Sequence, residues 1–137
     1  MSKTNKRPNV VYILADDMGY GDISAFNENA AFNTTHLDTM CERGMKFTDA
    51  HSTSAVCTPS RYSILTGRYN WRSSLKMGVL GGYSKAMIEE GRKTVAHLFK
   101  EKGYHTAAIG KWHLGMNFAT DDNFSEKTDF AYCDGVD

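Results

Sequence analysis

The chain has 137 residues, room for one domain or part of a larger one, and folding alone it would bury roughly 68–70% of its unfolded surface. Its 41% hydrophobic and 23% charged residues argue against disorder. Sixteen Lys+Arg balance sixteen Asp+Glu, which excludes bulk attraction to nucleic acid or an anionic membrane and leaves any anion selectivity to a local site.

The first predicted element is Asn9–Ala15, a continuous β-branched and apolar run that stops abruptly at Asp16-Asp17. A run without alternation is the pattern of a strand buried on both faces, as in a parallel sheet beneath helices. Gly19-Tyr20-Gly21-Asp22 then reads as a loop. A helix is expected over His36–Arg43, with Thr35 and Asp38 as a capping pair and Gly44 as a left-handed stop. Met45–His51 alternates as a short strand does, and Met40, Met45 and Phe47 take core positions by spacing. The second helix is expected to start with Thr58 as its N-cap and Pro59 at its first position, closing at Gly67. Residues 71–93 have no clear period and read as a long loop, a feature more often functional than idle. Thr94 caps a third helix, Val95–Lys102, which Gly103 ends. His105–Gly110 then reads as a second buried strand running into Lys111-Trp112-His113. Strands alternating with helices predict an α/β fold, a mainly parallel β-sheet flanked by helices.

Candidate chemistry falls where such a sheet places its ligands, beyond the carboxyl ends of the strands. Asp16-Asp17 follows the first predicted strand; the pair reads either as a solvated strand end or as oxygen ligands, which favour calcium or magnesium over zinc or copper. Cys57 reads either as a buried structural cysteine or as a reactive one, placed near a helix start with Arg61 four residues on. Lys111 and His113 alternate and are able to face one cleft. His36, His51, His97 and His105 read as structural or surface residues, and Glu89-Glu90 and Lys100-Glu101-Lys102 as solvated faces. Cys41, Cys57 and Cys133 make neither a disulfide framework nor a C-x-x-C motif.

These motifs resemble one family. Cys57-Thr58-Pro59-Ser60-Arg61 resembles the C-x-P-x-R signature of type I sulfatases, which belong to the alkaline phosphatase superfamily. Residues 7–22, with Asp16-Asp17-Met18-Gly19, are similar to that family's opening strand and metal-binding carboxylates. Gly110-Lys111-Trp112-His113-Leu114-Gly115 is similar to its G-K-W-H-x-G segment. Three ordered motifs cover residues 7 to about 115. The resemblance implies a sulfuric ester hydrolase in which a maturing enzyme, the formylglycine-generating partner, converts Cys57 to formylglycine. One oxygen of the aldehyde hydrate attacks sulfur and displaces the alcohol; the other, once deprotonated, expels sulfate and regenerates the aldehyde.

By the same resemblance, one calcium ion is held by Asp16 and Asp17 against the sulfate and the hydrate formed from Cys57. Arg61 orients the hydrate, Lys111 binds sulfate oxygens and His113 is the base. The implied substrate is an aryl or carbohydrate sulfate ester, with Arg72 and Lys76 either contacting a sulfated sugar or standing as solvated loop charges. Residues 1–137 then form the N-terminal part of a catalytic domain, expected to be inactive alone. The competing expectations are a phosphate or phosphonate ester hydrolase of the same superfamily and a non-catalytic anion- or calcium-binding α/β module. No nucleic-acid or membrane partner is expected, since the apolar run Val10–Ala15 is too short to span a bilayer. Met1–Arg7 before so short a run is not a secretory signal. The chain therefore reads as cytoplasmic, or as periplasmic or secreted if its native N-terminus is missing.

Overall fold

The computed structural model describes residues 7–117, and Cys133 lies outside them. It divides after Ala50 into two compact units. The first contains one helix, α1 (Thr35–Arg43), preceded by 3₁₀ turns at Tyr20–Asp22 and Ser24–Phe26. The second contains α2 (Cys57–Thr66), a 3₁₀ turn at Asn70–Arg72 and α3 (Val95–Glu101).

Among the described residues there is no β-strand, which corrects the expectation of a sheet flanked by helices. Residues 9–15, 45–51 and 105–110 are not strands, and their apolar side chains lie open: Val11 is 82% exposed, Ile13 80% and Ile109 100%. The physical reason is that an apolar run marks a segment suited to burial, whereas a strand exists only when a neighbour completes its ladder. No described segment does so. Met40, Met45 and Phe47 are likewise exposed rather than core.

Polar bonds organise the first unit. Thr34 is the N-cap of α1, one residue before the expected one, and Asp38 reaches back from the first turn. Its carboxylate accepts from Ser24 Oγ at 2.6 Å, from Thr34 Oγ1 at 2.8 Å and from the Ala25 amide at 2.9 Å. These bonds, the Ser24 hydroxyl foremost, hold the Asp38 carboxyl below its ordinary pKa. Lys46 donates to the Ala25 carbonyl and lies over the Phe26 ring. Gly44 ends α1 at φ −124°, not in the left-handed region.

The second unit has an apolar core of Tyr62, Met87 and Leu114, against which Leu65, Leu75, Leu80, Ile88 and Trp112 pack. The long connection 71–93 thus supplies Leu75, Leu80, Met87 and Ile88 to the interior. Two main-chain bonds join it to the later segment: Met87 N–H to the Leu114 carbonyl at 2.8 Å and Met116 N–H to the Ser84 carbonyl at 3.0 Å. Gly67 ends α2 at φ 66°, the left-handed cap its sequence predicts. Thr94 caps α3 in a reciprocal arrangement with His97, so His97 is structural, as expected.

Glu89 is a correction. Its carboxylate accepts from the buried Tyr62 hydroxyl at 3.1 and 3.2 Å, from Arg68 at 3.3 Å and from Arg92 at 3.3 Å. Its own backbone N–H, then Tyr62 and Arg92, hold its pKa below the ordinary carboxylate value against a partial desolvation cost. A carboxyl with a depressed native pKa stabilises the fold above its unfolded pKa of about 4.3 and loses that contribution as pH falls through the lower native value. Glu89→Gln is therefore expected to cost about 0.5–1 kcal/mol near neutral pH, a figure reduced for its partial exposure. Urea melts at pH 7 and below pH 4 check this, and the difference from wild type should shrink at the acid end.

Candidate active site

Cys57 is the first helical residue of α2, and Val56 is the N-cap. This moves the helix start two residues upstream of the expected one. Pro59 tolerates the shift because its missing N–H falls among the first-turn donors that have no intrahelical acceptor. Thr58 is thereby released from capping. It is fully buried, at 0% exposure, and its hydroxyl is bonded on both sides. Thr58 Oγ1 donates to the His113 carbonyl at 2.9 Å and accepts from the Leu80 amide at 3.3 Å. One turn later Arg61 Nη1 donates to the Lys111 carbonyl at 2.6 Å. The start of α2 is thus tied at two points to residues 111–113.

His113 is held from its other end as well. Its Nε2 lies 2.8 Å from the Leu80 carbonyl, while its Nδ1 is buried and has no hydrogen-bond partner among the described residues. The His113 backbone is left-handed, φ 56°, a region open to few side chains other than Asn, Asp and His. Trp112 Nε1 donates to the Gly115 carbonyl at 2.9 Å and closes the turn. Gly81, Gly82, Lys111, Trp112, His113, Gly115 and Met116 line a cavity of about 330 Å³. Lys111 and His113 thus share one lining with three glycines.

Four of the six candidate residues, Cys57, Arg61, Lys111 and His113, belong to this second unit. Asp16 and Asp17 belong to the first, where Asp17 is also left-handed at φ 57°. Among the described residues no three His, Cys, Asp or Glu side chains gather as a metal site. Lys76 is an exposed loop charge whose ammonium donates to the Trp71 and Ser73 carbonyls of its own loop. Motif reading missed Thr58, which it assigned to the helix cap, and Leu80, whose contribution is main-chain and leaves no side-chain signal.

The sulfatase family model matches residues 8–135. This chain belongs to the sulfatase family. It is 42% identical over 114 residues to the N-acetylgalactosamine-6-O-sulfatase of Bacteroides thetaiotaomicron, covering 83% of this chain and 22% of that one. It is 42% identical over 121 residues to mouse arylsulfatase G, covering 86% and 22%. It is 38% identical over 136 residues to human steryl-sulfatase, covering 96% and 22%. A solved structure from a glycosaminoglycan-metabolising locus of Bacteroides thetaiotaomicron matches with a TM-score of 0.74 at 44% identity, over 80% of this chain and 22% of that one. The chain therefore spans about a fifth of the length of these sulfatases. Among the described residues, no helix is long and apolar enough to cross a membrane.

Gly115 lets the sulfatase motif close on residues 84–85. It sits at φ 71°, and a Cβ there would overlap the Lys85 carbonyl. Gly115→Ala is expected to destabilise the second unit by more than about 1 kcal/mol, since neither the conformation nor the space admits a methyl group. Chemical denaturation of the variant against wild type checks this.

Proposed function

We propose that residues 1–137 are the N-terminal part of the catalytic domain of a sulfuric ester hydrolase, and that the complete protein releases sulfate from an aryl or carbohydrate sulfate. The observation that carries this reading is the double tie from Thr58 and Arg61 to residues 111–113, which fastens the C-x-P-x-R helix start to the G-K-W-H segment. A carbohydrate sulfate is favoured by the named specificity of the Bacteroides relative, an N-acetylgalactosamine-6-O-sulfatase. Arylsulfatase G and steryl-sulfatase keep aryl and steryl esters in view.

Two groups absent from the chain as translated belong to this proposal. Formylglycine made from Cys57 by a maturing enzyme supplies, as its hydrate, paired oxygens for attack at sulfur and for release of sulfate. Calcium supplies positive charge against the sulfuryl oxygens. The carboxylates of Asp16 and Asp17 are hard oxygen donors of the kind calcium takes, and two of them are part of the six to eight oxygens it needs. They fit as a partial ligand set.

The chain's own residues do the rest. Arg61 carries fixed positive charge one helical turn from Cys57 and orients the nucleophile. Lys111 offers its ammonium to the sulfate oxygens, offsetting negative charge that grows as the ester bond breaks. His113 takes the proton whose removal releases sulfate, and its neutral imidazole is the form that does so. The glycines at 81, 82 and 115 let the main chain approach a small anion closely.

Peptide mass spectrometry across residue 57, on protein made in a host with a maturing enzyme, is expected to find the cysteine lighter by about 18 Da as the aldehyde. Cys57→Ala should abolish aryl sulfate turnover in the complete protein, and Lys111→Ala should lower it by roughly 10²-fold or more. Turnover of an aryl phosphate in preference to the sulfate would assign the site to the phosphoryl branch instead. Full activity with an unmodified Cys57 would overturn the mechanism.

A further inference from the structure

Three segments far apart in sequence close a ring of hydrogen bonds around the buried Thr58 hydroxyl. Thr58 Oγ1 donates to the His113 carbonyl, the Leu80 amide donates to Thr58 Oγ1, and the Leu80 carbonyl faces His113 Nε2 at 2.8 Å. The same peptide residue, Leu80, therefore meets Thr58 through its N–H and the imidazole through its C=O. A carbonyl oxygen only accepts, so His113 Nε2 must carry the hydrogen. In the neutral ring the lone pair then lies on Nδ1, the nitrogen that is buried and has no partner among the described residues. His113 also holds a left-handed backbone, φ 56°, a conformation that persists where surrounding bonds over-determine it.

We propose that Thr58 and the Leu80 peptide are positioning groups for His113: they fix its Nε2–H tautomer and leave Nδ1 as the atom that receives the proton. When Nδ1 takes that proton the ring becomes an imidazolium, and its Nε2–H bond to the Leu80 carbonyl becomes charge-assisted and stronger. Thr58 acts through Leu80 and the His113 main chain and touches no substrate. The part played by Nδ1 in turnover rests on the sulfatase reading above; the tautomer itself does not.

The test is long-range ¹H–¹⁵N correlation spectroscopy on the complete protein with ¹⁵N-labelled histidine, at a pH where the imidazole is neutral, with His113→Gln assigning the signals. The Nε2–H form alone is expected. Thr58→Val keeps the shape but removes the hydroxyl. It should give a mixture of tautomers and lower kcat for an aryl sulfate roughly tenfold, with KM within about twofold. Rates are normalised to formylglycine content by mass spectrometry, because residue 58 lies inside the maturation motif. Thr58→Ser, which retains the hydroxyl, should restore both the tautomer and kcat.

A wild-type Nδ1–H form or tautomer mixture would overturn the proposal, as would a Thr58→Val protein with unchanged tautomer and kcat. The wild-type spectrum needs no variant, so a Thr58→Val protein that fails to fold still leaves the proposal open to refutation. Absence of turnover from matured wild-type protein would sink the sulfatase reading while the spectrum still decided the tautomer, so the two failures are distinguishable.

Discussion

A hydroxyl withdrawn from water costs free energy unless both its donor and its acceptor capacity are used, and at Thr58 both are. That requirement fixes more than one residue. Because the two partners come from positions 80 and 113, the first turn of α2, the long connection and the final turn cannot shift separately without stranding a buried polar group. Arg61 adds a second tie at Lys111. Beneath them Tyr62 and Leu114, at 0% and 1% exposure, bury apolar surface on the same two segments. Polar ties set register and apolar burial supplies the driving force, so the motif residues inherit their placement from neighbours that carry no chemistry.

The two units rest on different physics. The second buries Tyr62, Met87 and Leu114 and draws on the hydrophobic effect at about 25 cal/mol per Å² of apolar area. The first buries no residue among those described, and its order comes from the Asp38 carboxylate collecting the Ser24, Thr34 and Ala25 donors. Part-buried bonds of that kind each contribute modestly, because water still competes for the partners. Val10, Val11 and Ile13 meanwhile keep more than half of their surface in water. Their apolar character is real, and its burial needs a partner surface that the described residues do not provide.

That contrast explains what the sequence made legible. Helices are local: caps, apolar stripes and terminal glycines lie within one segment, so α1 and α3 begin within a residue of expectation and Gly67 ends α2 as read. The start of α2 moved because Thr58, a good N-cap by residue type, found better use for its hydroxyl in a tertiary bond. Strands are non-local, and the apolar runs at 9–15 and 105–110 carried no information about whether a ladder partner was present. The family was legible because C-x-P-x-R and G-K-W-H are contiguous. The groups that hold those motifs were not: the Leu80 peptide has no side-chain signature, and Glu89 in a pair of acids looks solvated until Tyr62 and Arg68 arrive from α2 and the turn after it.

Backbone strain sharpens the same point. Among the described residues, the two non-glycine positions with positive φ are Asp17 and His113. Each belongs to a motif singled out for its chemistry, and each is of a residue type that tolerates the left-handed region better than most. Strain of this kind persists only where surrounding structure holds it, and it clusters where a side chain must be aimed in a direction the relaxed chain does not offer. At His113 the holding structure is explicit, in Thr58 on the carbonyl and Leu80 on the ring. At Asp17 the following turn contributes, with the Gly19 amide donating to the Asp22 carboxylate at 2.6 Å and fixing the chain just beyond it. A left-handed residue turns its side chain away from the direction its neighbours take. At His113 that direction sets Nε2 against the Leu80 carbonyl and leaves Nδ1 buried.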